Sequence, residues 1–350
     1  MTVRDIEQFR DRILAAAAAK RSLRIRGGGT KDWYGQALEG EILDTRAFSG
    51  IVDYEPTELV ITARSGTPLA EIEAALAERN QMLAFEPPHF GAGATFGGAI
   101  ATGLSGPRRA ASGAVRDFVL GAVMMDGKGE MLTFGGQVMK NVAGYDVSRL
   151  LAGSMGTLGL MLQHSVKVLP RPVREATLRF EMSEIDAIRR LNEWGGQPLP
   201  ISASCWQNGL LTVRLAGAQA AVDAAVREFG GESVSEGRAF WASLREQQHE
   251  FFTGADSLWR LSVPSTTGAI VLKGEQLIEW GGAQRWLKGG GSAHDIRAAV
   301  TAVGGHATLF RGGDKSVGVF QPLAPAVAKI HQRLKAAFDP SNLFNPGRMY

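Results

Sequence analysis

Between Gly91 and Gly106 the chain reads Gly91-Ala92-Gly93-Ala94-Thr95-Phe96-Gly97-Gly98-Ala99-Ile100-Ala101-Thr102-Gly103-Leu104-Ser105-Gly106, almost without a bulky side chain. A stretch like this buries little of its own, so its backbone must press against something flat and large. A packed helix seldom needs that, because each interior glycine costs about 1 kcal/mol relative to alanine. Three other segments are rich in glycine. They are Arg26-Gly27-Gly28-Gly29-Thr30-Lys31-Asp32-Trp33, Gly135-Gly136-Gln137-Val138-Met139-Lys140-Asn141-Val142-Ala143-Gly144-Tyr145-Asp146, and Gly153-Ser154-Met155-Gly156-Thr157-Leu158-Gly159-Leu160. The chain holds 44 glycines, where an average usage of about 7% would give roughly 25.

Two familiar nucleotide motifs are excluded. Gly93 to Gly97 is one residue too long for Gly-x-Gly-x-x-Gly, and no acidic residue follows at the required distance. Gly312-Gly313-Asp314-Lys315-Ser316 resembles a Walker phosphate loop only superficially. The first glycine segment directly follows the strand-like run Leu23 to Arg26. Successive glycines let consecutive N–H groups form one concavity that binds an anion, to which Thr30 and Lys31 add a hydroxyl and a charge. Phosphate is the natural guest, and a tight surface turn is the alternative reading.

A chain of 350 residues exceeds the roughly 250 to 300 at which one core stops growing, so two domains are expected. The 38 basic residues are scattered and nearly balanced by 35 acidic ones, which argues against nucleic acid. The single cysteine, Cys205, excludes an internal disulfide, a cysteine-based metal site and an iron–sulfur cluster held by this chain alone. A reducing, cytoplasmic setting fits. Ile6, Phe9, Ile13 and Leu14 mark an amphipathic first helix rather than a signal peptide.

Strands are expected at 23–26, 41–44 and 59–63, and a helix after Thr67 as N-cap and Pro68 at its first position, ending at Asn80. Residues 115–133 read as a hairpin turning through Asp126-Gly127-Lys128-Gly129. A short helix capped by Asp146 and stopped at Gly153 leads to a strand over 158–169, which Pro170 and Pro172 end. Beyond the prolines lie six of the seven tryptophans, with strand 176–182, helix 184–195, strands 201–206 and 210–215 and helix 218–229. The expected organisation is α+β: a first domain over 1–172, an α+β domain with an antiparallel sheet over 173–324, and a helix and tail over 325–350 that docks back on the first domain.

The order of the GGGT loop, the FGGAIATGLSG loop, KNVAGYD and GSMGTLG, with Asn345-Pro346-Gly347-Arg348 near the end, resembles the FAD-binding domain of the vanillyl-alcohol oxidase and p-cresol methylhydroxylase (PCMH) class. Length, the GGGTKDWYG loop and the middle domain look most like the smaller FAD-binding subunit of bacterial glycolate oxidases. The resemblance implies an extended FAD between two α+β subdomains, with the middle domain as a cap over the isoalloxazine. Arg26, Gly27, Gly28, Gly29, Thr30 and Lys31 would enclose the pyrophosphate together with Pro88, Gly91, Gly93, Ala94, Thr95, Gly97, Gly98, Ala101, Thr102, Ser105 and Gly106. Gly153, Ser154, Gly156, Thr157, Gly159 and Leu160 would line the adenine and ribityl side, and Asn345 would approach the ring.

Two departures from the class matter. Relatives with covalent flavin carry a histidine after the first glycines, where Thr30 and Lys31 stand here, so the FAD is expected to be non-covalent. Relatives that oxidise D-2-hydroxy acids carry clustered histidines and a glutamate. Here His89, His164, His249, His294, His306 and His331 form no such cluster, so no metal site and no catalytic residue is assigned. Lys140, Tyr145 and Asp146 are candidates for contact with substrate or flavin, with Asp146 equally a helix cap. Arg108 and Arg109 are candidates for an anion, or else solvated arginines.

The implied function is that of an FAD-binding subunit in a complex that oxidises glycolate to glyoxylate and passes electrons to an acceptor other than oxygen. The implied partners are a larger FAD-containing subunit that oxidises the substrate and an iron–sulfur subunit, through which the chain could lie peripherally at the inner membrane. A self-sufficient FAD-dependent hydroxy-acid or alcohol oxidoreductase and a flavin-free scaffold subunit stay open as alternatives. Gly97→Val or Gly98→Val is expected to abolish flavin binding while the middle domain stays folded.

Overall fold

In the computed structural model, which describes residues 3–136, 146–254 and 256–349, the chain forms two units. One comprises Met1–Leu104, Ala114–Pro170 and Pro322–Tyr350, the other Ser105–Gly113 and Arg171–Gln321.

The first unit opens with helix α1 (Val3–Ala18), whose Ile6, Phe9, Ile13 and Ala16 pack on Leu23 of β1 (Leu23–Arg26) and Leu43 of β2 (Glu41–Asp44). Those two strands pair in parallel, Leu23 opposite Glu41. Next come β3 (Ile51–Glu55), β4 (Val60–Arg64), helix α2 (Leu69–Ala77), β5 (Gln81–Met82) and helix α3 (Phe96–Thr102). After α4 (Arg109–Ser112), which belongs to the other unit, the chain returns with α5 (Val115–Phe118), β6 (Val119–Met125), β7 (Met131–Gly135), α6 (Val147–Leu151), β8 (Leu160–Lys167) and β9 (Leu169–Pro170). The main sheet runs β3-β4-β8-β6-β7 and is antiparallel throughout. Its centre, β8, is covered on both faces. Leu160 and Leu162 join the core under α1, whereas Met161 and Val166 join the core of α2 and α3. The strand opens on the apolar run Leu160-Met161-Leu162, as burial on both sides favours, but carries Gln163, His164 and Ser165 at its middle.

The second unit is built on an eight-stranded antiparallel sheet. Its elements are β10 (Arg174–Glu181), α7 (Glu184–Gly195), β11 (Ile201–Gln207), β12 (Leu210–Gly217), α8 (Gln219–Phe229), β13 (Glu232–Ser233), α9 (Gly237–Arg245), β14 (Ser257–Ser262), β15 (Glu275–Glu279), β16 (Gln284–Lys288), α10 (Ala293–Ala302) and β17 (His306–Gly312). The sheet order is β13-β10-β12-β11-β15-β16-β14-β17. Helix α7 starts where Ser183 accepts a hydrogen bond from the Asp186 amide. It buries Ala187, Leu191 and Trp194 with Val222 and Ala225 of α8 against Leu211, Val213 and Leu215. Trp194 stacks on Phe229 at 4.3 Å between ring centroids. The chain then re-enters the first unit as α11 (Pro325–Phe338). Among the described residues no helix is long and apolar enough to cross a membrane.

Several local expectations are corrected. Thr67 does not cap α2. Its Oγ1 donates to the Arg64 carbonyl at 2.7 Å and accepts from the Gly50 amide at 2.9 Å, and the helix begins behind Pro68 without a side-chain cap. Residues 115–118 are a helical turn rather than strand, because the Asp117 carboxylate accepts from the Ala114 amide at 2.8 Å. The small-residue run is not irregular backbone throughout. Residues 96–102 form α3, opened by Thr95, whose Oγ1 accepts from the Gly98 amide, and closed by Gly103 at φ 63°. Strand β3 was not foreseen, and the strand expected over 158–169 is limited to Leu160–Lys167 with the short β9 after it.

His164 lies in β8, fully buried, with neither ring nitrogen hydrogen-bonded and the ring edge-on to Phe96. Desolvation lowers its pKa to about 3. A base whose folded pKa is depressed leaves the unfolded chain binding more protons between that value and about 6.5, so its contribution to stability falls as pH drops through this window. His164→Leu is therefore expected to be neutral or stabilising at pH 7 and to gain about 2 kcal/mol on the native chain at pH 5. Denaturant unfolding of both at the two pH values checks this.

Candidate functional site

The first glycine loop owes its composition to the second. A Cβ at Gly28 would lie 1.5 Å from the carbonyl oxygen of Gly93, and one at Gly27 would lie 2.4 Å from Thr95 Oγ1. Main chain therefore rests on main chain. Gly29 adopts φ 73°, a left-handed conformation that glycine takes without strain. Within the described residues, no hydrogen bond uses the N–H groups of Gly27, Gly28, Gly29 or Thr30. The second loop differs. Its Ala94 amide donates to Gly91 O, Phe96 to Thr67 O, Gly97 to Ser65 O and Gly98 to Thr95 Oγ1. Donors for an anion thus come from the first loop, and the second loop serves as the floor that shapes it.

These loops border an open cleft of about 550 Å³, a volume that includes part of the adjoining solvent. The structure brings Arg26, Gly27, Gly28, Gly29, Thr30, Lys31, Thr95, Gly98, Ala101, Thr102 and Asn345 together on its walls. Gly98, Ala101 and Thr102 follow the helical spacing that places them on one face of α3, where small side chains leave the helix backbone approachable. Asp32 and Met155, which lie within the first and fourth glycine segments, also line the cleft, as do Ile25, Leu38 and Arg348, which were not foreseen. For Arg348 the signal was present in the Asn345-Pro346-Gly347-Arg348 tail, of which only Asn345 was taken.

The other expected site residues stand elsewhere. Pro88 and Ala94 are buried, and Gly91 and Gly93 are exposed. Gly97 packs on Ser65, whose Cβ would be 2.5 Å from an added Cβ. Ser105 and Gly106 belong to the second unit, where the Gly106 carbonyl accepts from Trp280 Nε1 at 3.1 Å. The segment from Gly153 reaches the cleft through Met155 alone and supports α3: the Gly153 amide donates to Ile100 O at 2.9 Å and Met155 to Ala101 O at 2.8 Å. Ser154 and Thr157 close that turn on each other, Gly156 lies against Asn345, Gly159 against Met124 and Met125, and Leu160 in the core.

The tail completes the cleft from the opposite end of the sequence. Phe344 bridges in parallel to Leu23, so the tail extends the edge of β1. The Asn345 amide group is fully engaged, accepting from the Ile25 amide at 2.9 Å and donating to Met155 O at 2.7 Å. Lys335 anchors the approach by donating to Thr157 O, Phe344 O and the buried Asp339 carboxylate. Arg348 donates to the carbonyls of Gln36, Asp32 and Lys31, and burial lowers its pKa to about 10, which leaves it charged at neutral pH. Asp32 takes Arg24 Nη2 at 2.5 Å and Arg26 Nε at 2.7 Å on the same oxygen.

Other candidates resolve as structural contacts. Arg108 pairs with Glu175 at 2.7 Å, and Arg109 lies over the Trp280 ring at 4.5 Å. Asp146 caps α6 by accepting from the Arg149 amide. Lys140 and Tyr145 lie outside the described residues. Among the described residues no group of three or more histidine, cysteine, aspartate and glutamate side chains stands where it could hold a metal. Unpaired amides, no space for a Cβ and three lining cations against one carboxylate suit a bound phosphate anion. Among the described residues the lining holds no histidine or glutamate.

A family model described as an FAD-binding domain matches residues 1–135. The chain is 50% identical over 340 residues to glycolate oxidase subunit GlcE of Escherichia coli (strain K12), covering 97% of this chain and 96% of that protein. It belongs to the GlcE family of glycolate oxidase subunits. Glycolate oxidase subunit GlcD of Bacillus subtilis (strain 168) is 30% identical over 148 residues, 42% of this chain and 31% of that one. A solved structure of p-cresol methylhydroxylase superposes with a TM-score of 0.71 at 15% identity, covering 98% of this chain and 87% of that one. The expected PCMH-type α+β fold and its FAD-binding domain are thereby borne out.

The structure separates the two glycine substitutions. Gly97→Val forces backbone and side chain of Ser65 apart and is expected to cost about 1–3 kcal/mol of stability whether or not flavin is present. An added Cβ at Gly98 meets only Thr95 Oγ1, at 3.0 Å, so Gly98→Val should stay folded and lose the cofactor. Melting curves and bound-flavin absorbance of the two variants distinguish these outcomes.

Proposed function

We propose that this chain is the FAD-binding subunit of a glycolate-oxidising complex, holding FAD without a covalent link in the cleft between the first glycine loop, α3 and the tail. The observation that carries the reading is the run of unpaired amides at Gly27, Gly28, Gly29 and Thr30 facing a cleft with three cations. Converging N–H dipoles and fixed positive charge favour a diphosphate. Bound there, FAD would supply the two-electron acceptor for oxidation of a 2-hydroxy acid, chemistry that belongs to the cofactor while the protein positions it. Gly98, Ala101 and Thr102 would let the cofactor lie close along α3, and Asn345, already held on both sides, would fix the wall opposite. Among the described residues no histidine, cysteine or tyrosine lines the cleft, which supports a dissociable flavin.

Proton removal from the substrate hydroxyl needs a base within about 3 Å, and among the described residues the one carboxylate of the cleft lining, Asp32, is already paired with Arg24 and Arg26. That supports assigning substrate oxidation to a larger GlcD-type subunit, and electron export to an iron–sulfur subunit, since one cysteine cannot hold a cluster. In this reading the complex works on the cytoplasmic side, and any attachment to the inner membrane runs through the partners.

The purified chain is expected to be yellow and to release its FAD completely into the supernatant on acid precipitation. With a dye acceptor it should not turn over glycolate by itself, and should do so in the reconstituted complex. A colourless folded chain that gives no heat on titration with FAD contradicts the cofactor assignment, and glycolate turnover by the isolated chain contradicts the division of labour.

A further inference from the structure

We propose that Arg348 is the built-in counter-charge of the cofactor cleft, a buried guanidinium oriented by main-chain carbonyls that pairs with negative charge on bound FAD. The inference rests on the reading that FAD occupies this cleft. Arg348 is 5% exposed and lines the cleft wall. Its hydrogen bonds run to the carbonyls of Gln36, Asp32 at 3.1 Å and Lys31 at 3.4 Å. Carbonyl oxygens orient a guanidinium without neutralising it, and Arg348 makes no ion pair within the described residues.

Asp32, the acidic residue of the lining, favours the Arg348 charge but makes no direct ion pair with it among the described residues, since its Oδ2 is shared by Arg24 and Arg26. Among the described residues the cleft lining carries Arg26, Lys31 and Arg348 with Asp32. A cation removed from water without a counter-ion is costly. A ligand anion relieves that cost through a charge-assisted hydrogen bond. FAD offers negative charge at its diphosphate, and a second source at the ring system once it is reduced. Because Arg348 sits at the end of the tail, the cleft acquires this charge only when the tail has docked on β1.

The test uses the apo form of the full-length chain, with Arg348→Met and Arg348→Lys compared to native by titration with FAD, ADP and riboflavin. Arg348→Met is expected to weaken FAD roughly 10- to 100-fold, the range of a charge-assisted hydrogen bond, and Arg348→Lys to recover most of the loss. If the partner is the diphosphate, ADP weakens by the same factor and the flavin midpoint potential is unchanged. If it is the reduced ring, riboflavin weakens too, more so after dithionite reduction, and the potential moves negative. Should Arg348→Met fail to fold by circular dichroism, Arg348→Gln drops the charge while keeping donors for the carbonyls and carries the same expectation. Native affinity for both oxidised and dithionite-reduced FAD in the folded Met or Gln variant overturns the inference. So does a Lys variant as weak as Met, which would reduce Arg348 to a carbonyl clamp. A native chain that binds no FAD overturns the functional reading itself, so the two failures are distinguishable.

Discussion

Gly28 and Gly93 meet main chain to main chain, with no volume for even a methyl group between them, and the site follows from that contact. With the first loop lying on the second, four successive amides, Gly27 to Thr30, have no hydrogen bond among the described residues, and their residues line the cleft. An anion seated there would gain from their dipoles, which is what the proposed cofactor site rests on. The second loop can act as a floor because its own amides are spent internally, on Thr67, Ser65 and Thr95.

The cleft is assembled from pieces remote in sequence: the loop after β1, one face of α3, and the tail. Each is fixed by a different device. The loop is fixed by glycine contact, α3 by the turn at Gly153 to Met155 that donates into its carbonyls, and the tail by Asn345 and Lys335. Lys335 converges on two carbonyls and a buried carboxylate, and Asp339 in turn accepts from the Leu343 and Phe344 amides. This ties the end of α11 to the strand that precedes the first glycine loop. Tail docking and the shape of the cleft are thus coupled through shared walls.

Much of this was legible in the sequence. Strands β1 and β2 and helices α7, α8 and α11 are expressed in local periodicity and flanking caps, so their positions follow from side chains that act within one or two turns. The first glycine loop is likewise legible in its composition, whereas Asn345 was implied by the family resemblance of the tail. What escaped depends on tertiary contact. Strand β3 is half-exposed at a sheet edge and reads weakly. Helix α3 forms despite its glycines because Thr95 caps it and Phe96 and Ile100 are buried. Glycines at 97 and 159 serve protein packing against Ser65 and Met124, which composition cannot separate from packing against a ligand. Arg348 gains its meaning only from burial in a wall whose carboxylate is already shared, a fact that no local pattern encodes.

The central claim is that the amides of the first glycine loop hold the diphosphate of FAD. Glycine-selective 15N labelling of the apo chain, followed through titration with FAD and then with ADP, tests it directly. The account requires the Gly27, Gly28 and Gly29 resonances to move strongly with both ligands, while Gly97 and Gly159, packed inside the protein, stay nearly still. Stationary loop resonances in a chain saturated with FAD would place the cofactor elsewhere and contradict the account.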